Sequence, residues 1–214
     1  MSNLPRFSVI RVPLRGFIEV NCYLWVDTAT RHGFLIDPGA QGHALMRMLR
    51  DRGITVEKIL LTHGHFDHIG GIAAIREEAD LPVHIHEAGE AYLTNSRLNL
   101  SHDFGGDIIV RDAHYFREGQ LFTLPNGPDG TLRVIHTPGH TPDSCVFYAE
   151  AQGIAFTGDT IFQGSRGNDQ LPGGNLAELL RSIREKILTL PQSTILYSGH
   201  SDPTTVAAER HLYL

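Results

Sequence analysis

The sequence predicts an α/β fold of two β-sheets packed face to face with helices outside. Three observations lead there. Runs rich in β-branched and aromatic residues recur in both halves of the chain. Segments with apolar residues at helical spacing lie between or after them. No stretch of Pro, Gly or Ser separates the halves, so the 214 residues are read as a single domain, 1–214.

Strand patterns cover 7–15 and 17–26, with Arg15-Gly16 as the turn between them. A third, at 32–36, is stopped by Asp37-Pro38-Gly39. Leu45, Met48 and Leu49 then recur at helical spacing, and Gly53 closes that helix. A strand is expected at 56–61, a helix at 69–79 and a strand at 82–86. The segment 95–107 is polar and bears glycine without periodicity, a composition common in functional loops. In the second half, strands are expected at 132–136, 144–149, 154–157 and 194–197, with a helix at 176–188.

The composition sets bounds on function. A hydrophobic fraction of 41% and a charged fraction of 20% are ordinary for a soluble globular protein. No apolar run approaches the ~20 residues that span a bilayer, so no membrane association is expected. Residues 1–6 lack a charged segment followed by an apolar one, which favours a cytoplasmic location. A formal net charge of -6 argues against nucleic acid as a partner and leaves a small-molecule substrate. Oligomeric state is not readable. Cys22 and Cys145 sit in apolar runs without a neighbouring cysteine and are read as buried small hydrophobes. The 13 histidines are the compositional outlier.

Three of them and a carboxylate crowd into Thr62-His63-Gly64-His65-Phe66-Asp67-His68, just past the apolar run Ile59-Leu60-Leu61. Imidazole and carboxylate are ligands of borderline divalent metals. The cluster reads as half of a metal site. The other half is sought at glycine-marked turns after later strands: His140 in Thr137-Pro138-Gly139-His140-Thr141, Asp159 in Thr157-Gly158-Asp159-Thr160, and His200 in Ser198-Gly199-His200. Glycine lets the backbone turn and approach the site closely. His84 and His86 alternate on one strand and mimic a ligand pair, but they are read, with the remaining histidines, as non-ligands.

In these motifs, and in this order, the chain resembles the metallo-β-lactamase superfamily. The resemblance implies an α/β, four-layer αββα sandwich of two mixed β-sheets flanked by helices. It implies a two-metal site in which His63, His65 and His140 hold one ion, and Asp67, His68 and His200 the other. Asp159 would bridge them together with a water or hydroxide, and Asp67 and Asp159 would be the catalytic carboxylates. Two divalent ions are implied, zinc first, with iron or manganese as alternatives. Ions roughly 3.5–4 Å apart lower the pKa of shared water toward about 7 and polarise a carbonyl, so no serine or cysteine nucleophile is needed.

Within the superfamily the chain looks most similar to short, single-domain relatives of glyoxalase II, the hydroxyacylglutathione hydrolases. Asn21-Cys22-Tyr23, Ile36-Asp37-Pro38-Gly39, Gly158-Asp159-Thr160-Ile161-Phe162 and the glycine-rich 164–175 segment carry that likeness. It implies attack of a metal-bridging hydroxide on a thioester such as S-lactoylglutathione. Full-length glyoxalase II adds a helical domain and places a lysine and a tyrosine where this chain has Asn168 and Gln170. Substrate contacts are sought in the loops 95–106 and 165–175, with Arg97, Asn99, Arg166 and Asn168 as candidates. A persulfide dioxygenase, holding one iron through His63, His140 and Asp159, is the alternative. A lactonase is the lesser one, because Phe162 stands where that family has tyrosine.

Overall fold

Alternation along single strands sets the layering. In β2 (Glu19–Asp27), Tyr23 and Trp25 point to one face while Cys22, Leu24 and Val26 point to the other, and all five are buried. In β9 (Cys145–Ala149), Phe147 and Ala149 share the inner face with Tyr23 and Trp25, and Val146 and Tyr148 face away. A strand buried on both faces must be covered on both. Three apolar interfaces follow: one between the sheets, and one beneath the helices on each outer face.

The computed structural model describes residues 5–104, 106–125 and 127–214. Residues 1–4, part of the segment examined for an export signal, and Gly105, within the candidate loop, lie outside the described residues. The first sheet is ordered β1 (Phe7–Arg15), β2, β3 (His32–Ile36), β4 (Thr55–Leu60), β5 (Val83–His86), β6 (His114–Phe116). The second is ordered β12 (Thr204–Thr205), β11 (Ile195–Ser198), β10 (Ile154–Gly158), β9, β8 (Gly127–His136), β7 (Leu121–Leu124). Both are mixed: β3, β4, β5 and β6 run parallel in one, and β10 and β11 in the other. Helix α1 (Gly42–Asp51) packs on the outer face of the first sheet, with Leu45 and Leu49 against Leu35 and Ile59. The expected four-layer sandwich is therefore present.

The sheets are locked by aromatic contacts and a few hydrogen bonds across the interface. Phe156 lies 5.5 Å from Tyr23 and 6.1 Å from Trp25, ring to ring. Trp25 Nε1 donates to the carbonyl of Gly130 at 2.7 Å, and the Tyr23 hydroxyl to that of Ser198 at 2.7 Å. These polar tips keep large aromatics satisfied inside.

Several expectations are corrected. The helix expected at 69–79 is two short pieces, α2 (Phe66–Ile69) and α3 (Ile72–Arg76). The break falls at Gly70-Gly71, where the loop after β3 presses on the chain and the Gly71 amide donates to Pro38 O at 2.8 Å. A Cβ on Gly71 would stand 2.6 Å from that oxygen, and one on Gly39 would collide with the Asp67 carbonyl. The strand expected at 132–136 begins at Gly127, and β6, β7 and β12, all short, carried no signal. The 176–188 helix starts at α5 (Leu176–Ser182) and continues as a wide turn through Ile183–Ile187. After β5 comes α4 (Glu90–Thr94), and after β12 comes α6 (Val206–Glu209).

One buried charge sits between the two histidine loops. Asp143, in the β8–β9 connection, is fully buried against Gly64 and Gly89. The Thr141 hydroxyl and the Gly64 amide are near it, but neither oxygen has a well-formed hydrogen bond. Burial lifts its carboxyl to about 6, against the pull of those donors.

Two outcomes are expected. Phe156→Ala should cost about 3–5 kcal/mol in denaturant unfolding, through lost burial and the cavity left behind. For Asp143, a folded pKa above the unfolded one stabilises the fold below about pH 4, and that contribution is lost as pH rises through about 6. Metal-free wild type should therefore lose about 2–3 kcal/mol from this group between about pH 4 and pH 8. Asp143→Asn should flatten that slope in melts run across the range.

Candidate metal centre

The carboxyl ends of β4, β8, β10 and β11 lead into turns that bring the predicted donors together at one edge of the sandwich. The turn after β4 delivers His63 and His65, and the turn after β8 delivers His140. Their nitrogens converge, with His65 Nδ1 3.1 Å from His63 Nε2 and 3.0 Å from His140 Nε2. All three rings are buried. Burial, then the neighbouring imidazoles, holds His63 well below its ordinary value and His65 at about 3. Burial lowers His140 as well. Neutral imidazoles are the form that binds metal.

A second group forms beside the first. Asp67 and His68, on α2, meet His200 from the turn after β11. His200 Nε2 is 3.1 Å from Asp67 Oδ2 and 3.4 Å from His68 Nε2. Burial disfavours charge on both imidazoles, but carboxylates prevail: Asp37, Asp159 and Asp67 raise His68, and Asp159 and Asp67 raise His200 to about 10. Burial likewise opposes ionisation of Asp159 and Asp67, and the same imidazoles hold both below the usual carboxylate range. A metal at this group must compete with protons.

Asp159, at the end of β10, stands between the groups. Its Oδ2 is 3.6 Å from His140 Nε2 and 3.4 Å from His200 Nε2, and its Oδ1 is 3.4 Å from His68 Nε2. Gly199 makes room for it, since a Cβ there would lie 2.4 Å from Oδ1 and 2.8 Å from the His68 ring.

These separations bear on whether a metal fits. Four donors at about 2.0–2.1 Å from an ion stand roughly 3.3–3.4 Å apart at the corners of a tetrahedron. Here the close donor pairs lie 3.0 to 3.8 Å apart, and all donors of a set lie within 4.8 Å of one another. Asp159 Oδ1 is buried without a well-formed hydrogen bond. Among the described residues, three sets have the spacing of metal ligands: His63, His65 and His140; His63, His68 and Asp159; Asp67, His68 and His200. The residues fit a His/Asp metal site; two of the three sets hold the residues that the resemblance grouped together, and the third joins His63 and His68 to Asp159.

Residues outside these sets aim the rings. His140 Nδ1 donates to the carbonyl of Asn168 at 2.8 Å, and His200 Nδ1 to that of Glu19 at 2.7 Å. His68 Nδ1 is 3.0 Å from Asp37 Oδ2. Each bond fixes the tautomer and leaves Nε2 free for the site. Asp37, just past β3, also accepts from the Thr62 amide at 2.8 Å and the Thr62 hydroxyl at 2.6 Å, tying two loops together. Sequence reasoning noticed Asp37 as a turn and as part of the motif behind the glyoxalase II likeness, and gave it no role at the site. Its signal was an acid between a strand end and Pro-Gly. Glu19 acts through a carbonyl and leaves no mark in its side chain.

The candidate substrate residues divide. Asn99 is fully buried; its amide donates to the Tyr92 and Ile108 carbonyls at 2.8 and 2.9 Å, so it braces the loop and does not face a substrate. Arg97 is exposed near Asp107, with no contact to the donor sets among the described residues. Asn168 serves through its carbonyl, while its side chain accepts from the Gln170 amide at 2.9 Å. Arg166 reaches Asp169 at 3.1 Å in the loop that follows Asp159. His84 and His86 join no donor set and stack instead on His114 and His136. Cys22 and Cys145 are free and buried, as read. No helix among the described residues is long and apolar enough to cross a membrane.

Comparison with known proteins bears on this geometry. The "Probable metallo-hydrolase YqgX" of Bacillus subtilis (strain 168) is 38% identical over 94% of this chain and 93% of its own length. The "Hydroxyacylglutathione hydrolase GloC" of Haemophilus influenzae (strain ATCC 51907 / DSM 11121 / KW20 / Rd) is 31% identical over 93% of each. Among solved structures, the BLEG-1 B3 metallo-beta-lactamase superposes with a TM-score of 0.88 at 36% identity, covering 95% of this chain and 97% of that one. TTHA1623, solved in a di-iron-bound form, gives 0.82 at 33% identity over 94% and 96%. The model of the metallo-beta-lactamase superfamily matches residues 15–200, a span that holds all seven converging donors. Sandwich, donor order and matched span agree, and the chain belongs to the metallo-beta-lactamase superfamily.

Proposed function

We propose that this metallo-hydrolase is a dinuclear thioesterase acting on S-acylglutathiones, S-lactoylglutathione among them, or on related small thiol esters. The observation that carries the reading is Asp159 placed between two donor triads. A mononuclear arrangement, as in the persulfide dioxygenase alternative, would leave the triad of buried Asp67 and His68 with half-buried His200 without a purpose. Two divalent ions supply hydroxide near neutrality and polarise an acyl carbonyl when bound. Zinc suits the ligand set first, and the di-iron form of TTHA1623 keeps iron in view.

The chain's own groups do the positioning. Asp37, Glu19 and Asn168 hold three imidazoles in one tautomer, and burial keeps the first triad neutral. Among the described residues, the His and Asp side chains of the three sets are all committed as ligands in this reading, which leaves none of them to protonate a leaving amide nitrogen. A thiolate departs without a proton, which is why a thioester matches the site better than an amide. The GloC likeness supports the same substrate class. Phe162 lies edge-on to His200 at 5.9 Å and offers no hydroxyl there, which weighs against the lactonase reading. A cytoplasmic setting, where glutathione keeps thiols reduced, accords with two buried free cysteines.

The reading is tested by metal analysis of the purified protein together with turnover of thioesters, lactones and glutathione persulfide. Two metals per chain with steady hydrolysis of S-lactoylglutathione are expected; one iron with oxygen uptake on the persulfide would replace this reading. Asp159→Ala should lose bound metal and bring thioester hydrolysis to background, and normal turnover in that variant would sink the mechanism. Asp37→Asn, which keeps the shape but weakens the hold on His68, should lower metal affinity about 10–100-fold in chelator competition.

A further inference from the structure

Beside His200 lies a polar cleft that no step of the metal chemistry uses. It is open, about 250 Å³ in volume, and lined in part by Arg11, Asn21, His200, Ser201 and Asp202. Strands β1 and β2 supply one wall, and the turn after β11 supplies the other. The His200 ring presents Nε2 to the metal donors and also lines this cleft. Metal centre and cleft are therefore separated by a single side chain.

Its charged groups are held in place. Asn21 is buried, and its side-chain amide donates to the carbonyls of Ser198 and Ser201 at 3.0 and 2.9 Å. That fixes the amide oxygen, which accepts from Arg11 Nε at 2.9 Å. Arg11 Nη1 donates to Asp202 Oδ1 at 2.7 Å, and Nη2 has no partner among the described residues. Asp202 is exposed and stands two residues past the metal donor His200. The turn that carries both is pinned, since Ser201 Oγ accepts from the Gln163 amide at 2.9 Å. A surface ion pair by itself is ordinary and contributes little to stability. Here the guanidinium is held by a buried asparagine, and the pair stands at the border of a metal centre.

Adjacent groups of opposite charge complement a ligand that carries both charges on one carbon, an α-amino acid. The guanidinium fork takes the carboxylate, and Asp202 takes the ammonium. Glutathione ends in such a group at its γ-glutamyl residue, and a tripeptide thiol is long enough to cross a single side chain. Carriers that bear phosphates bring anions alone, which Asp202 repels. We infer that the cleft of Arg11 and Asp202 is the thiol-carrier subsite, and that it binds the zwitterionic γ-glutamyl end of a glutathione thioester. The inference rests on the thioesterase reading above and deepens it, since it selects S-acylglutathiones from the wider class of small thiol esters.

The test measures kcat and KM of the metal-loaded protein on lactoyl thioesters of several carriers. These are glutathione, its glutaryl analogue lacking the ammonium, its γ-aminobutyryl analogue lacking the α-carboxylate, N-acetylcysteamine and coenzyme A. Wild type is compared with Arg11→Ala, Arg11→Lys and Asp202→Ala. Arg50→Ala, on the outer helix α1 and paired with Glu78, serves as control. In wild type and the control, KM for S-lactoylglutathione should lie about tenfold below that for either analogue. Arg11→Ala should raise it to that of the γ-aminobutyryl analogue, and Asp202→Ala to that of the glutaryl analogue, with kcat held within about twofold. Arg11→Lys should recover part of the loss, because it keeps the charge without the fork. The N-acetylcysteamine ester, which lacks that end, should be turned over alike by every variant. Calorimetry with S-methylglutathione, which cannot be hydrolysed, should rank the variants in the same order. A wild-type KM in Arg11→Ala and Asp202→Ala would leave an ordinary surface ion pair, and an equal loss on every carrier would leave a structural one. Either result, or a preference of wild type for the coenzyme A ester, would overturn the subsite and leave the thioesterase reading standing. No turnover of any thioester by wild type would overturn the thioesterase reading itself, and the carrier assignment with it.

Discussion

Five imidazoles and two carboxylates meet at one edge of the sandwich, and most of them are out of contact with water. Groups of this kind are costly to bury unless each finds a partner. The first triad meets that constraint by staying neutral, and the second by pairing imidazoles with carboxylates around Asp159. Either state is compatible with replacement of protons by divalent ions. Much of the surrounding structure serves this compensation. The glycines at 39 and 199 let backbone come close, and Asp37 ties the loop after β3 to the loop after β4.

The fold supplies rigidity where that edge needs it. Strands buried on both faces are held between aromatic and aliphatic layers, so the ends from which the donors spring move little relative to one another. Hydrogen bonds across the interface hold the sheets together at both ends, Trp25 to Gly130 at the far end and Tyr23 to Ser198 close to the turn that bears His200. The C-terminal segment adds a second hold. Glu209 accepts from the Gly164 amide at 2.8 Å, and the Tyr213 hydroxyl donates to Ser165 O at 2.8 Å. These contacts fasten the loop that follows Asp159, and with it the Asn168 carbonyl that aims His140.

Legibility in the sequence followed the range of the interaction. Strands of five or more residues with strong apolar character, such as 7–15 and 32–36, were readable because their pattern is local. The three-residue β6 and two-residue β12 were not, since their pairing depends on a neighbour already in place. The helix expected at 69–79 failed for a related reason: the Gly70-Gly71 break reflects the pressure of a loop thirty residues earlier in the chain. Asn168 was picked for its side chain, while the atom that matters is its carbonyl oxygen. Asn99 was picked as a polar loop residue, while its amide is spent inside the loop.

The sequence by itself determined the layer architecture and the seven His and Asp residues that converge at one edge. Both are written as residue types at fixed spacings, alternation for the sheets and glycine-flanked His and Asp at strand ends for the site. The tertiary structure alone decided how far apart those residues stand, which ring nitrogen each histidine presents, and what lies beside them. Those properties are set by contacts between residues far apart in the chain: His65 with His140, His68 with Asp37, His200 with Glu19, Phe17 with Phe104. A distance of three or four ångströms between such residues exists only once the two sheets have packed.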